Sequence, residues 1–323
     1  MPRRARLDAP GTLHHVIVRG INKRRIVNDV ADRKNFVGRM GELAAETNTS
    51  IYAWALMTNH AHILLRSAEL GLSGYMRRLL TGYAISYNRR HRRWGHLFQN
   101  RYKSIICEED AYFTELVRYI HLNPLRAKMV KSLDKLERYR WCGHGVIMGE
   151  VKHEWQNRDY VLKWFGKKEG DAKKNYRDYV KKGIDKGRRP ELVGGGLIRS
   201  LGGWSAVKAL RRSGDREMSD DRILGSGEFV EQVIKEAQAT ARYQFSVKEH
   251  AAKIDETIAR ECKNHKVSIE EIKAGGRRRE ASRARARIAI DLVKTHGLSL
   301  AEVARQLGVT TSAVSRIISR AGK

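Results

Sequence analysis

The sequence predicts an α+β fold in which an antiparallel sheet with its helices is followed by an all-helical region ending in a helix-turn-helix, and three observations carry that reading. Over residues 12–124 the hydrophobic period alternates between that of a strand and that of a helix. From 205 to 323 it stays helical. With 323 residues and 41% apolar content, the chain has material for two or three packed domains.

The elements follow in order. TLHHVIVRGINKRRIV is β-branched and extended, and DRKNFVGRMGELAAET spaces Phe36, Val37, Met40 and Leu43 as one helical face. SIYAWALMTNHAHILLRS reads as two strands across a short turn at Thr58-Asn59. LSGYMRRLLTGYAISYNRRH is a second amphipathic helix, WGHLFQNRYKSIIC a loop and strand, and DAYFTELVRYIHLN a third helix stopped by Pro124. The order β-α-β-β-α-β-α is a ferredoxin-like alternation with an added helix. That architecture hosts many functions. Residues 125–150 read as a tail packing back on this domain through Trp141. The stretch 167–196, KKEGDAKKNYRDYVKKGIDKGRRPELVGGG, reads as short helices and a charged connector, its triple glycine serving as a hinge or a positive-φ loop. The predicted domains are 1–150, 151–225 and 226–323.

Composition narrows the function classes. Lys and Arg number 64 against 36 Asp and Glu, a formal charge of +28, which points to a polyanionic partner, nucleic acid first and an anionic membrane surface second. No apolar run is long enough to span a membrane, and the N-terminus lacks the apolar core of a signal peptide, so a cytoplasmic location is expected. Cys107, Cys142 and Cys262 are odd in number and widely spaced, which suits buried thiols rather than disulfides or a zinc site.

His60 and His62 are two apart within a strand-like run, so both imidazoles share one face, roughly 7 Å apart along the backbone, and can converge on one cation. Cross-strand or surface histidines give the same pattern. Tyr119 and Asn123 lie one helical turn apart on the third helix, with His121 nearly opposite, and a helix laid across the sheet would turn Tyr119 toward the histidines. A half-buried core tyrosine is the plainer alternative. Arg89, Arg90, Arg92, Arg93, Arg101 and Lys103, interleaved with Trp94, Phe98 and Tyr102, form a candidate surface for phosphates and unpaired bases.

The runs ALMTNHAHILL, RRWGHLFQNRYKS and LVRYIHLNPLRAKMV together resemble the REP-associated tyrosine transposases, within the single-tyrosine HUH transposases of bacterial insertion sequences, over about residues 8–148. The resemblance implies that His60 and His62 bind Mg2+ or Mn2+. It implies that Tyr119 is the nucleophile, forming a 5′-phosphotyrosine link and releasing a 3′-OH. Asn123 matches the position where relatives often place a glutamine as third ligand. The implied substrate is single-stranded or hairpin DNA, the implied assembly a homodimer, and no other cofactor is implied. A non-catalytic DNA-binding protein derived from such an enzyme is the rival.

LSLAEVARQLGVTTSAVSRIISRAG has helix-turn-helix spacing: Ala304 at the helix crossing, Gly308 in the turn, and Val314 and Ile317 packing inward. Thr310, Thr311, Ser312, Ser315 and Arg316 then start and line the second helix, where duplex DNA contacts fall. Upstream, Arg277, Arg278, Arg279, Arg283, Arg285 and Arg287 supply charge for phosphates. From about 226 the chain looks like the DNA-binding domain of the replication initiator DnaA, without the P-loop of its ATPase part.

Overall fold

The computed structural model describes residues 7–8, 11–99, 101–187, 189–194, 218–244, 247–276, 278–294 and 300–320. The chain divides into two compact units, 1–237 and 238–323. In the first, β1 (Leu13–Arg19), α1 (Val30–Glu46), β2 (Ser50–Leu56), β3 (His60–Arg66), α2 (Gly71–Arg90), β4 (Lys103–Cys107) and α3 (Glu109–His121) follow in sequence. The sheet order β2-β3-β1-β4, antiparallel throughout, is that of a ferredoxin-like fold. A two-residue strand, β5 (Ile223–Leu224), pairs parallel to β4 at the edge. The helical periodicity read from 205 to 323 is therefore interrupted by a strand at Ile223–Leu224.

Strand alternation assigns each residue to one of two buried faces. Val16, Val18, Ala61, Ile63 and Leu65 pack under α1 and α2 against Phe36, Val37, Met40, Leu79 and Tyr83. Leu13, Ile17, Leu64 and Ile105 turn the other way, onto Phe113, Leu116, Val117 and Ile120 of α3. The register pairs Ile17 with His62 and His15 with Leu64, so His15 and His62 are diagonal neighbours on the α3 face. That α3 covers the sheet is what brings a helix residue to the strand histidines.

The layer around α3 is completed by α4 (Asn123–Arg126), α5 (Leu133–Glu137), α6 (His144–Met148), α7 (Arg158–Lys163), α8 (Glu169–Lys181) and a 3-10 turn at Pro190–Val193. Val161, Leu162, Ala172, Tyr176, Val180 and Leu192 are buried in one core with α3. Residues 158–187 and 189–193 thus belong to the first unit rather than to a charged connector, because Ala172, Tyr176 and Val180 recur every four residues and give α8 an apolar stripe despite its charge. Trp141 is partly buried, its carbonyl accepting from the Leu56 amide at 2.9 Å. All three cysteines are buried and free. Gly195 and Gly196 of the triple glycine lie outside the described residues.

The second unit holds α10 (Val247–His265), which follows α9 (Gly227–Gln244), then α11 (Ile269–Lys273), α12 (Arg279–Lys294), α13 (Leu300–Gln306) and α14 (Thr311–Arg320). Ile258, Ile272, Ile288, Leu292, Val303, Leu307 and Val314 form its core, with Ile317 packed against it. Gly308 sits at φ +62 in the α13–α14 turn, and a Cβ there would lie 1.8 Å from the Lys273 carbonyl oxygen, so glycine is required on both counts. The Thr310 hydroxyl caps α14 by accepting from the Ala313 amide at 3.2 Å. No helix among the described residues is long and apolar enough to cross a membrane.

Candidate active site

Three histidines and a tyrosine gather on the α3 face of the sheet. His62 and His15 stack with ring centroids 5.2 Å apart, and His60 meets His62 edge-on at the same separation. The Tyr119 ring stands 5.8 Å from His62 and 6.0 Å from His15. Tyr119 and His60 are half-buried, whereas His15 and His62 are 0% and 4% exposed. The sequence spacing pairs His60 with His62 and allows Tyr119 to face them, but gives no sign of His15. It sits in an otherwise apolar strand and its partner is 47 residues away. The alternation of β1, read against a β3 partner, was the signal that could have found it.

Hydrogen bonds orient the rings. His60 Nδ1 lies 2.7 Å from the Asn59 Oδ1, and the Asn59 amide nitrogen donates to the Lys23 carbonyl at 3.0 Å. His62 Nδ1 lies 3.0 Å from His15 Nε2, and His15 Nδ1 lies 3.0 Å from the Leu192 carbonyl oxygen. Burial pulls His15 and His60 down to about 4 and holds His62 well below the usual imidazole range, the neighbouring imidazoles and Arg19 adding to the effect at His62. The site therefore presents neutral imidazoles at physiological pH, the form that binds a cation. With each Nδ1 engaged, Nε2 of His60 and His62 is the nitrogen left to meet one, so the pair fits a divalent ion. Asn123 fits less directly. Its amide nitrogen donates to the carbonyls of Tyr119 and Ile120 at 3.1 and 3.3 Å, so only Oδ1 remains as a ligand atom.

Arg126 is a second residue that sequence reading missed. Its guanidinium carbon lies 5.6 Å from the Tyr119 ring centre, and Nη2 donates to the Gly183 carbonyl at 3.1 Å. Nε and Nη1 are buried without a hydrogen-bond partner among the described residues. Desolvation pulls this guanidinium below its ordinary range. Its place two turns beyond Tyr119 was legible only if the chain stayed helical through Pro124. Tyr83 and Tyr87 of α2 pack in the core on the opposite sheet face, away from these histidines.

The basic surface is smaller than composition suggested. Arg90 is bound to Asp29 through two nitrogens, at 2.9 and 2.6 Å, and to Asp32 at 2.5 Å. Asp29, Asp32 and His91 are the one group of three acidic or histidine donors among the described residues that is close enough to share an ion, and Arg90 is already paired with both of its carboxylates at the start of α1. Arg93 is turned onto Asn88 and the His96 carbonyl. Phe98 and Tyr102 pack toward the core because the 97–99 segment pairs with Arg19–Ile21, which leaves Trp94, 89% exposed, as the exposed ring of this segment. Arg89, Arg92 and Arg101 are exposed, and Lys103 donates to the Val193 carbonyl at 2.5 Å.

In the second unit Arg285 is 8% exposed and donates to the carbonyls of Ile272 and Gly276, so it ties the end of α11 to α12 rather than meeting phosphate. Arg278 pairs loosely with Glu271 and Glu280. Arg279, Arg283, Arg287, Thr310, Thr311, Ser312, Ser315 and Arg316 are exposed. Arg277 lies outside the described residues.

Residues 11–123 match the family of IS200-like transposases, and residues 283–323 match region 4 of sigma-70. No curated protein matches. A solved structure of a REP-associated tyrosine transposase bound to a REP hairpin is similar at 13% identity with a TM-score of 0.40, over 49% of this chain and 98% of that one. The match at the C-terminus is to the sigma factor family rather than to an initiator, and it is confined to the helices around the turn at Gly308. Residues 11–123 are thus similar to IS200-like transposases, and the C-terminus carries a helix-turn-helix similar to sigma-70 region 4.

Proposed function

We propose that the protein cleaves and rejoins single-stranded DNA through a covalent 5′-phosphotyrosine formed on Tyr119. The observation that carries this is the convergence of the Tyr119 ring and the His60–His62 pair on one sheet face. In the cleavage step the Tyr119 oxygen bonds to phosphorus, the bond from phosphorus to the 3′ oxygen breaks, and the phenol proton ends on the released 3′-OH. Rejoining reverses the step with an incoming 3′-OH. A free phenol titrates near 10, so attack at neutral pH requires that charge on the phenol and phosphate be stabilised. Arg126 stands beside the ring, with Nε and Nη1 lacking a hydrogen-bond partner among the described residues, to do so. Bound at Nε2 of His60 and His62, with Asn123 Oδ1 as a further oxygen, Mg2+ or Mn2+ would supply Lewis-acid polarisation of the phosphodiester. His60 and His62 would hold that ion, and α3 would hold Tyr119 in line.

In this reading Trp94, Arg89, Arg92 and Arg101 receive unpaired DNA, and the exposed face of α14 with Arg279, Arg283 and Arg287 receives duplex or hairpin. A homodimer, with Tyr119 serving its own or its partner's histidines, belongs to the same proposal. Incubation with Mn2+ and single-stranded oligonucleotides from the repeats flanking the gene should give site-specific cleavage that EDTA stops. Binding without cleavage under every metal condition would instead support a purely DNA-binding role.

A further inference from the structure

We propose that His15 is a positioning residue for the cation site, and that the Leu192 carbonyl, through His15, fixes His62 in the form that offers Nε2 to the metal. The inference rests on the reading of His60 and His62 as ligands and adds to it a part of the chain, the turn Pro190–Val193, that lies outside the transposase-family match.

The proton order follows from which atoms can donate. A carbonyl oxygen only accepts, so the 3.0 Å contact to Leu192 requires the proton on His15 Nδ1. Protonating Nε2 as well would place a cation at a fully buried ring, with Lys103 anchored on the next carbonyl, Val193 O, at a high desolvation cost. His15 Nε2 therefore carries a lone pair and accepts, so His62 Nδ1 donates across the 3.0 Å contact and the lone pair of His62 falls on Nε2. His60 reaches the same state by a separate route. The Asn59 amide nitrogen is committed to the Lys23 carbonyl, which turns Oδ1 to His60 Nδ1 and requires the proton there. Two independent relays thus prepare two Nε2 lone pairs. Removing the acceptor at His15 leaves His62 without a partner that disfavours its Nε2–H form, which cannot bind a cation.

The turn is built to stay in place. Leu192 is buried in the core with α3, Lys103 grips the Val193 carbonyl, and Arg189 pairs with Glu115 of α3 at 3.2 Å. The carbonyl that orders the relay is thereby tied to the strand and the helix that carry the rest of the site.

The test is Mn2+ binding by the full-length protein, followed by electron paramagnetic resonance without DNA. His15→Phe keeps a ring but removes the acceptor, and should weaken binding 10- to 100-fold. His15→Gln can place an amide oxygen near the Nε2 position and should stay within a few-fold of wild type. Wild-type affinity in His15→Phe overturns the inference, provided His60→Ala and His62→Ala lose the metal. If those two variants bind Mn2+ normally, it is the ligand assignment itself that fails. Independently of any variant, the long-range 1H–15N spectrum of 15N-histidine-labelled wild-type protein should show His62 as the Nδ1–H tautomer. An Nε2–H tautomer there overturns the relay even if the His15 variants fail to fold.

Discussion

Replacing Arg126 with methionine removes a positive charge held 5.6 Å from the Tyr119 ring while keeping most of the side-chain length. At an effective dielectric constant of about 20, unit charges at that separation interact by about 3 kcal/mol. If that charge is felt only as the phenol gives up its proton, the loss falls on the transition state and amounts to a rate decrease on the order of 10²-fold. The group is only half-buried, and solvent entering the variant will lower the effect, so a fall of roughly 10- to 100-fold is expected. Arg126→Lys keeps a charge but not the planar fork, and should fall between wild type and Arg126→Met. The assay is single-turnover formation of the protein–DNA adduct at saturating Mn2+, with a melting curve alongside, because Nη2 also holds the Gly183 carbonyl and its loss should cost about 1 kcal/mol of stability. A rate for Arg126→Met within twofold of wild type, in an assay where Tyr119→Phe gives no adduct, would refute the assignment of Arg126 to the reaction.

Other consequences follow from the same geometry. Gly308→Ala should lower stability by at least about 1–2 kcal/mol from its positive φ alone, and more because the Lys273 carbonyl must move, which thermal unfolding will register. Removing residues 238–323 should leave cleavage of a short single-stranded oligonucleotide intact while weakening binding to longer DNA, and each lost phosphate contact should flatten the log-log salt slope by roughly 0.7–0.9; an unchanged slope would assign the second unit to another partner. Buried His144 has its folded value lowered from 6.5 to about 3 by desolvation, so between those values the unfolded chain binds the extra proton and stability falls as pH drops through that window. His144→Asn should accordingly reduce proton uptake on unfolding near pH 5 by about one per molecule, measured by calorimetry in buffers of different ionisation enthalpy.

Much of the first unit was legible because its signals are local. Alternation in ALMTNHAHILL put His60 and His62 on one face, and the helical spacing of Phe36, Val37 and Met40 marked the face of α1 that meets the sheet. What was not legible depends on partners distant in sequence. The charge of +28 counts Arg90 and Arg285 equally with Arg92 and Arg316, yet Asp29 and Asp32 take the first and the carbonyls of Ile272 and Gly276 the second. His15 gains its role only when β1 lies beside β3, and Leu192 contributes a backbone oxygen, for which no residue type signals. The charged look of residues 167–182 hid the stripe Ala172, Tyr176 and Val180, an available signal that was outweighed by composition.

If Tyr119 becomes covalently joined to DNA, mass spectrometry of proteolysed protein after reaction with a single-stranded oligonucleotide and Mn2+ will find the joined peptide directly. One nucleotide-bearing peptide is expected, containing Tyr119 and carrying a 5′-phosphate link, and it should be absent with EDTA and in Tyr119→Phe. A modified peptide containing any other tyrosine, or efficient cleavage with no covalent adduct, would contradict it.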